Sequence, residues 1–380
     1  MRFRSSLSLF ALFTLGAGFV ACSKADDGFE NTEDAVTSAQ GEQLERNEAT
    51  LVREIADAAT EQVIKSQSTS PDHVAKRDAH PKAHGCVTAT FDVDPSAPAE
   101  FAVGSFTRGA HYDAWIRFSN GSQADDRSSD ARGMAIKLLN ATGTNPRLLD
   151  SEPAGSITHD IVLTNYHTFF MSNLADYSEF MKTVTEKGNP ISFFINWNPF
   201  DLHLHAALLA KRFTGQPISN PTSSRYWSAT PYALGGNVVK YSAIPCGGVD
   251  ASGAHADDPN YLSAALKAGL AGGGACFDFM VQKRVSNYWQ PVEDSTYTWD
   301  EGSYPFVKIA RINIAAQTFD GDAQKQYCEN LSFSPWHATP THKPLGSMNR
   351  TRKVVYEATS AARHRLNGVT RSEPTDLRVP

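Results

Sequence analysis

Seven short runs of β-branched and aromatic residues, separated by clusters of turn-forming residues, follow one another after residue 86. The runs are CVTATFDVD, YDAWIRFS, GMAIKLL, HDIVLTNY, NVVKYSAIP, ACFDFMVQKRV and FVKIARINIA. Runs of this length and composition are typical of β-strands. A helical stretch over residues 171–215 interrupts them. Many short strands with one helical excursion predict a β-barrel, or a strongly curved sheet, with added helices.

Two further segments have the spacing of amphipathic helices. Between residues 41 and 66 apolar residues recur at intervals of three, four and seven, which is the period of a helix with one buried face. Another helix is predicted from Met348 to Leu366, after a proline-rich stretch. No internal repeat and no linker are evident after residue 40. We therefore predict an α+β fold and a single domain over residues 41–380.

The first 40 residues are predicted to lie outside this domain. Arg2 and Arg4 precede an apolar run that is too short to span a membrane and is typical of an export signal. The run ends in Phe-Val-Ala-Cys, which resembles a bacterial lipobox. We predict a signal peptide over 1–21 and a lipid-anchored acidic tether over 22–40, with the lipid on Cys22. The chain would be a periplasmic or cell-surface lipoprotein. An ordinary signal peptide with a chance cysteine is the alternative.

Charge and cysteine content limit the function classes. The formal net charge is −6, and no basic domain or stripe indicates a nucleic-acid partner. Besides Cys22, four cysteines remain, and their spacing does not match a zinc ribbon. An exported chain meets an oxidising compartment, so these cysteines could form disulfides in three pairings. Four free thiols are the alternative. The four are Cys86, Cys246, Cys276 and Cys328.

The segment RDAHPKAHG, residues 77–85, concentrates basic side chains at the junction of the first helix and the first strand. It contains Arg77, His80 and His84. A loop of this kind can present an imidazole into a cavity, and an exposed polar turn is the alternative.

Arg117 lies inside an apolar run, and on a strand it shares a face with Trp115 and Ser119. A buried arginine needs an anionic partner, because an unpaired buried charge is costly. The partner could be a ligand carboxylate or a protein aspartate. Arg132 and Gly133 form a corner before the next strand, and a structural turn is the better interpretation of these two residues alone.

Two more segments could contribute to a site. Asn165 follows a strand and precedes Phe169 and Phe170, so its amide could bind a small polar ligand beside aromatic rings, although it could simply end the strand. Arg352 and Tyr356 are four residues apart on the predicted last helix and share a face. A guanidinium beside a phenol favours the phenolate, and tyrosine is a known axial ligand of haem iron. The alternative is a tyrosine in the apolar stripe with an arginine at its edge.

In this order, the segments resemble the haem catalase family, and most closely its short bacterial, catalase-like members. The resemblance extends over roughly residues 70–368. Arg77 and His80 match the family segment that bears the distal histidine. Arg117 and Ser119 match the strand whose arginine meets a haem propionate and whose serine orients that histidine.

Three other segments continue the resemblance. Arg132-Gly133 matches the start of the family's next conserved strand, and the HDIVLTNYHTFF segment matches the one that carries the distal asparagine, here Asn165. The family pattern Arg-x-x-x-Tyr coincides with Arg352 and Tyr356.

The resemblance implies a fold, a cofactor and an activity. The fold would be a catalase-like antiparallel β-barrel core with surrounding helices, lacking the family's C-terminal helical domain. The cofactor would be haem b. The activity would be that of a haem-dependent oxidoreductase, a catalase or peroxidase acting on hydrogen peroxide or organic hydroperoxides, with an organic reductant as a further partner. The membrane would be contacted only through the N-terminal lipid, and the oligomeric state stays open. A hydroperoxide isomerase or dehydratase of the catalase-related type and a non-catalytic haem-binding lipoprotein are the alternatives.

The resemblance also implies roles for individual residues. His80 would act as general base and then acid, with Ser119 orienting it and Asn165 positioning the peroxide. Tyr356 would be the axial iron ligand, kept ionised by Arg352.

Three side chains would complete the haem site. Arg77 and Arg117 would bind the haem propionates, and Phe170 would lie against the cofactor.

Two departures from the family pattern bear on function. Asp78 and Ala79 precede the histidine where the family has apolar residues. A more polar distal side would admit organic reductants or hydroperoxides. The spacer between His80 and the next strand is also shorter than in the family, and it contains His84, a rival distal base. We favour His80 because Arg77 precedes it by three residues, as in the family.

Overall fold

The computed structural model describes most of the chain after the N-terminal segment. The described residues are 38–141, 147–149, 152, 156–195, 203–250, 252 and 257–379. They all belong to the second of the chain's two compact units, residues 31–380. The predicted signal peptide, Cys22 and nearly all of the predicted tether lie outside the described residues. Within the described part of the chain, no helix combines the length and the apolar character needed to cross a membrane.

The described strands form one antiparallel sheet that closes on itself. In chain order they are β1 (Ala83–Val93), β2 (His111–Asn120), β3 (Arg132–Leu138), β4 (His159–Thr164), β5 (Tyr226–Trp227), β6 (Tyr232–Leu234), β7 (Asn237–Pro245), β8 (Ala275–Lys283) and β9 (Phe306–Ile314). Eight of them pair around a ring in the order β1-β2-β3-β4-β5-β7-β8-β9, and β9 returns to β1. The ninth, β6, pairs with β7 beside the ring. The predicted antiparallel β-barrel is confirmed.

Side-chain alternation along the strands separates the barrel core from the outer face. On β2, Ile116 and Phe118 belong to the main apolar core. Trp115, Arg117 and Ser119 point to the opposite face, as the alternation predicts, yet they are also buried. The outer face of the barrel is therefore covered here. This second buried face is where polar side chains meet.

Helices surround the barrel. They are α1 (Glu48–Thr69), α2 (Leu174–Lys187), α3 (Ile191–Phe194), α4 (Leu204–Thr214), α5 (Tyr261–Gly272), α6 (Asp322–Asn330) and α7 (Ser347–Asn367). The first and last pack together, through Val52 and Ile55 of α1 and Val354 and Val355 of α7. Gly368 ends α7 with φ of 65°, and its N–H donates to carbonyls of the last turn, as a left-handed glycine cap does.

A fully buried arginine fixes the start of α7. The Arg350 guanidinium contacts Glu48 at 2.6 Å, Glu42 at 2.8 Å and Glu293 at 3.1 Å. Three carboxylates from distant parts of the chain therefore hold the first turn of this helix. Because α7 is rigidly placed, the side chains further along it have defined positions.

Two disulfides join distant segments, which settles the pairing that the sequence left open. Cys86 of β1 is bonded to Cys328 of α6, with their Cα atoms 6.0 Å apart. Cys246, which follows β7, is bonded to Cys276 of β8, with 5.5 Å between the Cα atoms.

Candidate active site

A cavity lies between the outer face of the barrel at β2, β3 and β4 and the facing side of α7. It has two adjoining lobes, whose free space, open solvent included, amounts to about 690 and 840 Å3. Six residues line both lobes: Asp78, Ala79, His80, Val162, Leu163 and Tyr356. The first lobe carries arginines and serines. The second is lined mainly by aromatic and apolar side chains.

His80 reaches the cavity from the loop between α1 and β1. Its backbone has φ of 60°, and its N–H donates to the carbonyl of Gly121 at 2.7 Å. The ring nitrogen Nδ1 lies 3.0 Å from Oγ of Ser119. Position 133 must be glycine for this contact, because a Cβ there would lie 2.6 Å from His80 Nδ1 and 2.9 Å from Ser119 Oγ. The Arg132-Gly133 corner thus leaves room for the imidazole.

The environment keeps the His80 imidazole neutral. Burial, reinforced by the positive charge of Arg117, lowers the pKa of His80 to about 4, although Asp130 acts in the opposite direction. At neutral pH the ring is therefore unprotonated and able to accept a proton. With Nδ1 held by Ser119, Nε2 is the nitrogen left for proton transfer.

The rival histidine is not part of the cavity wall. His84 is buried, and its Nε2 lies 2.6 Å from Oδ1 of Asn120 and 3.6 Å from Asp126. It is absent from the lining of both lobes. Of the two histidines in this segment, the structure brings His80 to the cavity and places His84 in a buried polar network.

Tyr356 and Arg352 face the cavity from α7, one helical turn apart. Arg352 Nη2 donates to the Tyr356 hydroxyl at 3.1 Å, and Nη1 donates to Asn349 Oδ1 at 3.0 Å. Burial alone would lower the pKa of Arg352, but the phenols of Tyr356 and Tyr232 outweigh it and raise that pKa. The phenol oxygen of Tyr356 therefore has a fixed, charged hydrogen-bond donor.

Three arginines meet at the first lobe. Arg77 binds Glu329 at 2.8 Å and the carbonyl of Leu331 at 2.6 Å. Arg363 of α7 donates to the same Leu331 carbonyl at 3.2 Å. Arg117 donates to the carbonyl of Pro81 at 3.3 Å, and its Nε is buried with no hydrogen-bond partner among the described residues.

The positive charges of this cluster are incompletely compensated. Burial lowers the pKa of Arg117 to about 9, and the like charge of Arg77 adds to that shift. The same two causes lower the pKa of Arg363 to about 9, while Glu329 opposes the shift in both cases. Since a guanidinium holds its proton, the cluster favours an anionic ligand, and its forked donors suit carboxylates.

Arg363 was not recognised from the sequence. It lies seven residues after Tyr356, two helical turns along α7, so the two side chains share a face of the helix. That spacing is the signal that could have identified it.

Two residues predicted for the site are not brought to the cavity. The side-chain oxygen of Asn165 accepts the N–H of Arg132 at 2.7 Å, so Asn165 joins β4 to β3, and it lines neither lobe. Phe170 packs against Phe169, Phe180 and Phe213. Its neighbour Phe169 lines the second lobe instead. The side chains of Asn165 and Phe170 therefore do not lie in the cavity wall, where their predicted roles would require them.

Asp78 brings a carboxyl group into the cavity wall. It lines both lobes, and it makes a hydrogen bond with Thr359 of α7. Burial raises the pKa of Asp78. The polar departure seen in the sequence is thus located at the cavity, beside His80.

Comparison with known proteins identifies the fold class. No family model matches the chain, and no curated protein sequence matches it. Solved structures do match. A fungal catalase aligns with a TM-score of 0.58 and 18% identity, covering 77% of this chain and 60% of its own. A bacterial catalase aligns with a TM-score of 0.57 and 18% identity, covering 80% and 60%.

Catalase A from Saccharomyces cerevisiae also aligns, with a TM-score of 0.56, 18% identity, and coverage of 77% of this chain and 61% of its own. The chain therefore has a catalase-like fold, as the sequence resemblance predicted. It spans about 60% of the length of these catalases. At this identity the likeness shows the fold alone.

Proposed function

We propose that this chain is a haem-dependent oxidoreductase that acts on peroxides and is exported as a lipoprotein. The observation that carries the proposal is the meeting, in one cavity, of a neutral histidine held by Ser119 with a tyrosine held by Arg352. The catalase-like fold supports it.

The residues around the cavity fit haem b. Tyr356 would hold the iron, and the two propionates would suit the arginine cluster, where the buried Nε of Arg117 has no hydrogen-bond partner among the described residues. Val162 and Leu163, which line both lobes, offer apolar surface to a porphyrin. When bound, haem supplies a redox-active iron that can promote cleavage of a peroxide O–O bond.

The protein's own groups would move and hold protons. His80 Nε2 would accept the proton from one peroxide oxygen and return it to the other. Ser119 keeps the ring oriented during both transfers. Arg352 donates to the Tyr356 oxygen, so a positive charge would lie beside the candidate iron ligand. Asp78 adds a further polar group beside His80.

A hydroperoxide isomerase or dehydratase is the second candidate. The second lobe favours it, because Phe169, Phe213, Met348 and Val355 give that lobe an apolar lining suited to an organic chain. Such an enzyme would rearrange a lipid hydroperoxide without releasing oxygen.

The decisive experiment is haem reconstitution of the purified chain, followed by absorption spectroscopy and peroxide assays. We expect a Soret band, and oxygen release or donor oxidation on adding hydrogen peroxide. Tyr356→Phe should alter the Soret band. His80→Ala should abolish peroxide turnover and leave the Soret band unchanged. His84→Ala, with its histidine outside the cavity, is the matched control. Failure to bind haem would refute the proposal, and rearranged lipid hydroperoxides without oxygen would favour the second candidate.

Export as a lipoprotein needs its own test. Radiolabelled palmitate should be incorporated into the wild-type chain in bacterial cells and not into the Cys22→Ala variant. Equal labelling of both would contradict lipidation at this cysteine.

A further inference from the structure

Four large apolar side chains are exposed on neighbouring helices at one part of the surface. Ile191 and Ile195, at α3, are 65% and 64% exposed, and Leu204 and Leu208 of α4 are 59% and 46% exposed. We call these four residues, with the α4 segment that follows them, the α3–α4 surface. Contiguous exposed apolar surface on a water-facing protein marks an interaction site.

The two helices are in contact with each other. His203, at the start of α4, stacks on Phe193 of α3 with ring centres 4.1 Å apart, and its Nδ1 lies 3.1 Å from the Phe193 carbonyl. Leu209 is the buried residue of α4. The exposed side of α4 carries Leu204 and Leu208.

The exposed side of α4 ends in positive charge. Leu204, Leu208, Lys211 and Arg212 follow one another at helical spacing, and all four are exposed. Lys211 and Arg212 are the basic residues of this side, while at the start of α4 the carboxylate of Asp176 from α2 lies 3.8 Å from Nε2 of His203. The α3–α4 surface therefore combines exposed apolar side chains with local positive charge.

We propose that the α3–α4 surface docks onto an anionic phospholipid bilayer. The apolar side chains would enter the boundary between headgroups and acyl chains, and Lys211 and Arg212 would contact lipid phosphates. A lipid on Cys22 would hold the chain at a membrane. The surface features themselves do not depend on that lipid or on the proposed enzymatic function.

Docking would place the cavity next to the bilayer. Phe213, one residue beyond Arg212 on α4, lines the second lobe. The same short helix therefore contacts the cavity on one side and carries the exposed leucines on the other.

The test is vesicle flotation of the chain from residue 23, which keeps the compact unit 31–380 and carries no lipid. Vesicles of phosphatidylcholine with about 30% phosphatidylglycerol supply the anionic surface, and pure phosphatidylcholine vesicles are the comparison. We expect flotation with the anionic vesicles and much weaker flotation with the neutral ones. The absence of flotation with both would overturn the proposal.

Paired variants locate the contact. Leu204→Ser with Leu208→Ser should lower partitioning at least about tenfold, because each leucine loses the gain from burial in the bilayer. Lys211→Gln with Arg212→Gln should lower it about 25-fold on anionic vesicles only, at about fivefold for each charge. Circular dichroism checks that each variant is folded.

A matched control separates docking from general surface hydrophobicity. Val285→Ser with Tyr288→Ser removes residues that are 66% and 77% exposed on the segment after β8, and flotation should be unchanged. An equal loss in this control would contradict the proposal. A second result would also contradict it: the chain does not bind vesicles, sedimentation shows a dimer, and the leucine variants dissociate that dimer. The surface would then join two copies of the protein.

Discussion

Two clusters of buried charges lie on the outer face of the barrel, and they differ in how completely their charges are paired. Both depend on the same two strands. Ala135 of β3 and Val162 of β4 face each other in the cavity wall, and two residues further on Lys137 faces Asp160. The cavity and the second cluster are therefore neighbours built from one pair of strands.

In the cluster around Lys137, the positive charge is fully engaged. Lys137 Nζ lies 2.8 Å from Asp160 and 2.6 Å from Glu373, and His337 Nδ1 lies 2.7 Å from Asp160. In the arginine cluster of the first lobe, three guanidinium groups share Glu329, with Asp78 within electrostatic reach of Arg77.

The difference indicates what each cluster does. The Lys137 ammonium has two carboxylate partners, although Glu373 Oε1 makes no hydrogen bond among the described residues. Such a buried ion pair contributes to the architecture, and losing one member is costly. A buried cationic cluster with an unpartnered donor is compensated only when an anion binds. The Lys137 cluster thus ties the C-terminal segment to the barrel, while the arginine cluster is suited to ligand carboxylates.

The largest effect should come from removing Lys137. Lys137→Met leaves Asp160 and Glu373 buried without their cation, and we expect the free energy of unfolding to fall by about 3–5 kcal/mol. Urea unfolding of the haem-free chain measures it. Haem affinity of the folded fraction should be nearly unchanged, because Lys137 does not line the cavity.

Lys240 provides a matched control for this prediction. It is also buried, but it donates to the Tyr297 carbonyl at 3.3 Å and lies 5.0 Å from the Trp299 ring centre, and burial lowers its pKa to about 7. Lys240→Met should change stability by less than about 1 kcal/mol. Equal losses in the two variants would show that pairing with carboxylates is not what distinguishes them.

Removing a cavity arginine should have the opposite effect: haem affinity should fall, and stability should not. Arg117→Met should leave the haem-free chain as stable as the wild type or slightly more stable, because a poorly compensated buried charge is lost. Haem affinity should fall about 10- to 100-fold, which is the range for hydrogen bonds to a charged group. Haem titration followed by absorbance measures it. Arg311→Met, on the exposed surface of β9, should change neither quantity, and a large stability loss in Arg117→Met would mean that the two clusters do not differ.

The sequence predicts features that arise from neighbouring residues in the chain better than features that arise from contacts between distant residues. All seven strand-like runs form strands, because alternation is a local property of the chain. The first and last helices also follow their apolar period. Strands β5 and β6 have two and three residues, too few for a period to be seen. Helix α6 is polar, with one buried residue, Cys328, so no apolar stripe indicates it.

The site shows the same limit. His80, Ser119 and Tyr356 could be predicted, because each lies in a short motif with its own chemistry. The resemblance implies that Phe170 lies against the cofactor, whereas Phe169 lines the second lobe. Packing against α2 and α4 decides which of these two neighbouring phenylalanines reaches the lobe. The meeting of Arg363 with Arg117 and Arg77, which lie 246 and 286 residues before it in the sequence, is likewise a property of the tertiary fold.

Acid should weaken the cavity before it weakens the Lys137 cluster. The pKa of His80 is about 4 in the folded chain and about 6.5 when unfolded, so the unfolded state binds more protons between these values and stability falls as pH drops through this window. Burial alone would raise the pKa of Asp160, but Lys137 and His337 outweigh it and lower that pKa. The stabilisation from Asp160 is therefore lost only below about pH 4.

His80→Gln tests this order. Between pH 7 and pH 5 the haem-free wild type should lose about 1–2 kcal/mol more stability than this variant does, as measured by urea unfolding. His111→Gln, at an exposed histidine of β2, should lose as much stability between pH 7 and pH 5 as the wild type does. If His80→Gln retains the whole wild-type loss, burial of a neutral imidazole is not the cause.

The smallest effect should come from the hydroxyl that orients His80. Ser119→Ala removes one neutral hydrogen bond, worth about 1 kcal/mol, so we expect peroxide turnover by the haem-loaded chain to fall about fivefold with no shift in the Soret band. Stability should fall by no more than about 1 kcal/mol, as for the loss of any single neutral hydrogen bond, so the loss of turnover is what marks the orienting role. Ser242→Ala, a buried serine on β7 that donates to the Tyr226 carbonyl at 2.9 Å, controls for loss of any buried hydroxyl and should leave turnover unchanged. Equal turnover in the two variants would show that the contact with Ser119 does not orient the imidazole for proton transfer.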